Sequence, residues 1–188
     1  MASDVELTAA EIAQFRDDGF VVLREFIPAD MLAELREGYD AATRGDYDVD
    51  GWNQKIARGD ILQLGMPNAH IPGWQGHPYL DRIVAVGKQL LGDDIEYQYD
   101  QLIYKPPGNS VELLWHQDAG YGWPGKANHR SATCWLALSA ATEEMGSALL
   151  GGMISGVPCA VALAASSITY GFRLVLSWML FVMLRSVS

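Results

Sequence analysis

Positive charge is scarce in this chain. Thirteen Lys and Arg stand against 23 Asp and Glu, a formal net charge of -10. A nucleic-acid partner needs a basic footprint, so that class is set aside; net charge says nothing about fold. Cysteine is scarcer still. Cys134 and Cys159 cannot build a disulfide framework, and they read as small buried thiols of a reducing compartment. The opening "MASDVELTAAE" lacks a basic segment followed by an apolar one, so no signal peptide is expected and a cytoplasmic location is the default. No internal repeat is present. Histidine occurs four times and never after His129. Acidic residues also run out: all lie at or before Glu144, and from Met145 onward only Arg173 and Arg185 are charged. The 188 residues suffice for one domain with a real core. They divide by charge into residues 1–146, which read as a soluble domain, and an apolar tail, 147–188.

What is there has clear local punctuation. Thr8 and Glu11 form a capping-box pattern, Ile12 and Phe15 give the helix an apolar face, and Gly19 can stop it. "FVVLREF" reads as a short strand. Pro28 suits a first helical turn, and Leu32, Leu35 and Tyr39 keep helical spacing through residue 44. Residues 45–77 have no steady period and read as a long irregular segment, functional or disordered. A third helix is predicted from Pro78 to Leu91, stopped by Gly92.

From Ile95 to Lys105 the odd positions are Ile95, Tyr97, Tyr99, Gln101, Ile103 and Lys105, an alternation that predicts a half-buried strand. It puts Lys105 and Gln101 on the core side with the tyrosines. A cation there needs an anionic partner, unless Lys105 at the strand end reaches out to water. "PPGNS" is a turn and "VELLWHQD" a second strand; "ATCWLALSA" is a third, closed by "TEEMG". Residues two apart in a strand point the same way, so His116 and Asp118 can present a nitrogen and an oxygen to one point. A second histidine from elsewhere would complete a facial triad for non-haem Fe(II). A hydrogen-bonded structural His–Asp pair is the plain alternative.

Three stretches bear a likeness to a known family: "LTAAEIAQFRDDGFVVLREFIPADMLAELR", "QLIYKPPGNSVELLWHQD" and "SATCWLALSAATEEMG". Together they resemble the phytanoyl-CoA dioxygenase family of Fe(II)/2-oxoglutarate-dependent oxygenases. The resemblance implies an α+β fold, with N-terminal helices packed on a double-stranded β-helix of jelly-roll or cupin type. It implies His116 and Asp118 as two iron ligands, Lys105 as the lysine that contacts 2-oxoglutarate, and Trp135 as a wall of the cosubstrate pocket; ordinary core packing is the alternative for Trp135. Tyr99 and Gln101 share the face of Lys105 and would line the substrate side. Gln117 has the opposite parity, His129 reads as exposed, and His70 and His77 are substrate-side candidates in the irregular segment. The chemistry implied is O2-dependent decarboxylation of 2-oxoglutarate coupled to hydroxylation of a small organic or lipid-like substrate.

The family pattern continues with a second histidine ligand and an arginine for 2-oxoglutarate. The sequence after Gly146 supplies neither, and Arg173 has no histidine before it. This predicts a truncated barrel with no turnover. Three readings of the tail stand: a frameshift or premature end, a membrane segment (Gly146 to Phe172 is uncharged), or a divergent replacement that closes a smaller barrel. A non-catalytic remnant and a membrane-anchored protein with an acidic soluble domain are the alternative functions.

Overall fold

Thr8 opens the first helix as its spacing requires. Its hydroxyl accepts from the Glu11 backbone N–H at 3.2 Å, and the Glu11 carboxylate accepts from the Thr8 N–H at 2.7 Å. Helix α1 (Ala9–Asp18) ends where Gly19 turns left-handed, at φ 79°. Strand β1 (Phe20–Leu23) follows. It is shorter than "FVVLREF" because Glu25 also turns left-handed, which ends the extended run. Helix α2 (Ala29–Arg44) starts after Pro28 and buries Leu32, Leu35 and Tyr39. The computed structural model describes residues 5–48, 53–55, 62–105, 113–116, 130–138, 161–165, 170–172 and 177–186.

The stretch 45–77, expected to be irregular, contains strands β2 (Asn53–Lys55) and β3 (Leu62–Gly65) and the short helix α3 (Pro67–His70). Helix α4 (Pro78–Leu91) is the predicted third helix, with Tyr79, Ile83, Val86 and Leu90 buried. Strands β4 (Ile95–Lys105), β5 (Leu113–His116) and β6 (Ser131–Ala137) come next. Beyond the charge break lie β7 (Val161–Ala165), β8 (Tyr170–Phe172) and β9 (Ser177–Ser186).

The strands form a seven-stranded antiparallel sheet in the order β1-β7-β6-β9-β4-β3-β2, and a two-stranded sheet of β5 and β8. The apolar tail is thus part of the fold. β9 lies between β4 and β6, and β7 between β1 and β6. Val182 and Leu184 of β9 are buried in the same core as α4 and β6. Among the described residues no helix is long and apolar enough to cross a membrane.

One face of the large sheet packs on the helices. Its core joins Leu35 and Tyr39 of α2, Tyr79, Ile83 and Val86 of α4, and Leu64, Leu102, Cys134, Leu136, Val182 and Leu184 of the sheet. Close approach is needed where α4 crosses β9. A Cβ added to Gly87 would run into Leu184 and press on Ile95. Arg130, just before β6, ties the end of α4 to the sheet. It donates to the Leu91 carbonyl and to both carboxylate oxygens of Asp94.

Candidate functional site

The strand predicted from Ile95 to Lys105 exists, but its two faces are not those its alternation suggests. Tyr97 pairs with Leu184 of β9 and Tyr99 with Met183, so Gln98 is an extra residue, a β-bulge. One extra residue exchanges the faces of everything beyond it. Ile95 and Tyr97 pack toward the helices; past the bulge that side passes to Asp100, Leu102 and Tyr104. Tyr99, Gln101, Ile103 and Lys105 alternate with them in the register. The shared face of Tyr97 and Gln101 is therefore corrected: past the bulge, Gln101 takes the face turned away from the helices, and the position of Lys105 follows it in the register.

The same bulge brings a carboxylate into the helix-side core. Asp100 is fully buried. It accepts from Tyr97 Oη at 2.7 Å, from the Asn68 N–H at 3.0 Å and from Tyr79 Oη at 3.1 Å. Burial holds its carboxyl above the ordinary carboxylate range, and these three donors pull the other way. The Asn68 N–H is a first-turn donor of α3, so Asp100 also satisfies a helix end. Sequence alone gave no sign of this cluster; an acidic residue in a strand reads as solvent-facing.

On the opposite face the register places side chains in rows across strands. Gln101 of β4 and Trp135 of β6 both pair with position 181 of β9, and Ile103 and Ala137 both pair with position 179. Trp135 is buried there, as are Ile103 and Thr133. β3 adds Gln63, opposite Ile103, and Gly65, opposite Gln101. The Gln101 amide donates from Nε2 to Gln63 Oε1 at 3.2 Å. Gln63 was hidden in the stretch read as irregular; the signal that could have found it is the alternation of "LQLG" beside the β4 strand.

Lys105 closes β4, in register with Ser177. His116 closes β5 and pairs with Tyr170 of β8, so a residue from beyond the charge break partners the strand of the predicted ligand. Asp118, Gln117 and His129 lie outside the described residues. The other two histidines sit elsewhere. His70 ends α3 and is exposed. His77 caps α4: its Nδ1 accepts from the Tyr79 N–H at 3.3 Å, and its Nε2 faces Glu34 Oε2 at 3.1 Å. Both belong to the helical side, so among the described residues no second imidazole joins His116. An imidazole and a carboxylate are suitable donors for Fe(II), but they make two-thirds of a facial triad. The residues fit the metal in part only.

Residues 15–150 match the family described as Phytanoyl-CoA dioxygenase (PhyH). The chain belongs to the phytanoyl-CoA dioxygenase family. It is similar to the ectoine dioxygenase of Sphingopyxis alaskensis, at 28% identity over 118 residues. That alignment takes in 62% of this chain and 39% of the relative, so the chain matches well under half the length of that enzyme. Two solved structures share the fold across the whole chain. EctD from S. alaskensis with 2-oxoglutarate and 5-hydroxyectoine gives a TM-score of 0.78 at 20% identity, covering 100% of this chain and 79% of that one. EvdO2 from Micromonospora carbonacea var. aurantiaca complexed with 2-oxoglutarate gives 0.73 at 16% identity, covering 100% and 94%. The likeness in fold is therefore not confined to the first 146 residues, as the sequence had suggested.

Proposed function

We propose that this chain carries the metal- and cosubstrate-facing part of an Fe(II)/2-oxoglutarate oxygenase site for a small organic substrate, and that it does not turn over by itself. In this reading His116 and Asp118 are the metal ligands. The Lys105 ammonium pairs with a 2-oxoglutarate carboxylate, Trp135 walls the cosubstrate pocket, and Tyr99 and Gln101 line the substrate side. Fe(II) and 2-oxoglutarate would supply O2-dependent oxidative decarboxylation coupled to hydroxylation. The protein's own share is to hold and orient these groups and keep water from them.

The observation that carries the reading is the bulge-defined face of β4. It sets Gln101 in a row with the buried Trp135 and Ile103 in the row beside it, with Lys105 at the end of the same strand. The prediction of no turnover rests on the donor set. No histidine follows His129, and His70 and His77 stand on the helical side. The membrane-anchored alternative has less support, since β9 supplies buried core residues at the centre of the sheet.

Two measurements test this. Anaerobic Fe(II) binding should be weak in the intact chain and lost in His116→Ala; equal binding by both would remove the metal site. Succinate release from 2-oxoglutarate, with Fe(II), ascorbate and ectoine as the first trial substrate, should not exceed that of His116→Ala. Release clearly above the variant would show the chain to be active.

A further inference from the structure

We infer that Gln63 and Gln101 form an amide clamp that selects a ligand bearing a hydrogen-bond acceptor and an N–H donor on neighbouring atoms, as in a lactam. The inference deepens the proposed site, and rests on it only for the clamp's part in oxygenase chemistry. Gln63 comes from β3 and Gln101 from β4, and both occupy the face away from the helices. Their mutual bond, Gln101 Nε2 to Gln63 Oε1 at 3.2 Å, joins one amide donor to one amide acceptor. It leaves Gln63 Nε2 as a donor and Gln101 Oε1 as an acceptor, with no further hydrogen bond among the described residues.

The surroundings are those of a binding floor. Ile103 and Trp135 are buried on this face and supply apolar surface. Gly65, the register partner of Gln101, has no side chain, so the position beside the clamp carries none. Small-molecule sites are mostly apolar with a few placed polar groups. Two glutamines locked together, each with one function to spare, meet that description. A lone glutamine would rotate and accept either partner. A bonded pair always leaves one amide donor and one amide acceptor side by side, and so favours a ligand that carries both functions. A lactam C=O would accept from Gln63 Nε2 while its N–H donates to Gln101 Oε1.

The test uses the full chain and pyroglutamate as probe, observed by saturation-transfer NMR, with cyclopentanecarboxylate as the same-sized ring without the lactam. The wild-type chain should bind pyroglutamate at least about tenfold more tightly than cyclopentanecarboxylate, the worth of one or two net hydrogen bonds. Gln63→Met and Gln101→Met should each erase that preference, and Gly65→Val should block both probes. Mn(II) and 2-oxoglutarate binding, measured in the same samples, should be unchanged in Gln63→Met. Equal binding of the two rings by wild type, failure to bind either, or an undiminished preference in Gln63→Met overturns the clamp. Failure of wild type to bind Mn(II) and 2-oxoglutarate, with the lactam preference intact, overturns the oxygenase site and leaves the clamp standing.

Discussion

The two faces of the seven-stranded sheet are made by the same strands and differ in kind. On the helical side β3, β4, β6 and β9 send aliphatic side chains into one core, and the carboxylate admitted there, Asp100, meets three donors. On the other side Gln63 and Gln101 stand among the apolar Ile103 and Trp135, and the glutamine pair keeps bonding capacity in reserve. A buried polar group whose bonds are all made within the protein is scaffold. A polar group on a sheltered apolar face with bonds left over is available to a ligand. The bulge at Gln98 decides which residues of β4 fall into which class.

Mutations can break this contrast. The largest effect is expected for Val182→Asp. Val182 is fully buried on the helical side of β9, and an unpaired carboxylate there should cost about 4 kcal/mol or more. Denaturant unfolding measures it; a midpoint equal to wild type would show that residues 177–186 do not belong to the core. Next is Tyr79→Phe, which removes one donor from buried Asp100. The expected loss is about 2 kcal/mol, the range of a hydrogen bond to a charged group.

Asp100 also makes a prediction about pH. Its folded carboxyl is raised above the ordinary 3.8 by burial. The folded state therefore holds a proton that the unfolded state has released. That contribution to stability is complete below 3.8 and is lost as pH rises through the folded value. Asp100→Asn should lack this part of the pH dependence, read from urea midpoints across the acid range; parallel curves for the two proteins would refute it. Gly87→Ala should cost about 1–2 kcal/mol by forcing Leu184 aside in a packed interior. The smallest effect belongs to the other face. Gln101→Met should change stability by less than about 1 kcal/mol, because the amide bond it removes leaves no buried carboxylate behind.

Legibility in the sequence follows the same division. Helices α1, α2 and α4 were readable because Thr8, Pro28, Pro78 and the glycines at 19, 45 and 92 mark their ends, and each keeps one apolar stripe. β4 was readable as a strand and misread as to face, since a bulge exists only through its partner: Gln98 is extra by comparison with β9. β2 and β3 were missed because strands of three and four residues hold too few alternations to stand out. β9 was misread for a different reason. Its run from Trp178 to Leu184 is continuously apolar, with no polar alternation to mark a strand, and so resembles a membrane segment or a nonsense tail. Of the site, the Lys105, His116 and Asp118 spacing was visible because it is local. The pairing of Gln63 with Gln101 was not, because residues between them supply α3, α4 and the turn of the chain back to β3.

The place of β9 also bears on how the molecule is made. Among the described strands it alone joins β1-β7-β6 to β4-β3-β2, and it pairs Ile95 with Ser186 at one end and Lys105 with Ser177 at the other. As a ribosome extends the chain, two three-stranded half-sheets can assemble, each with an open edge, β6 on one and β4 on the other. Neither edge is covered until β9 emerges, and contacts so distant in sequence close slowly. Through that interval the nascent chain presents two unpaired β edges to its neighbours, and its need for a chaperone should be greatest just before β9 is made.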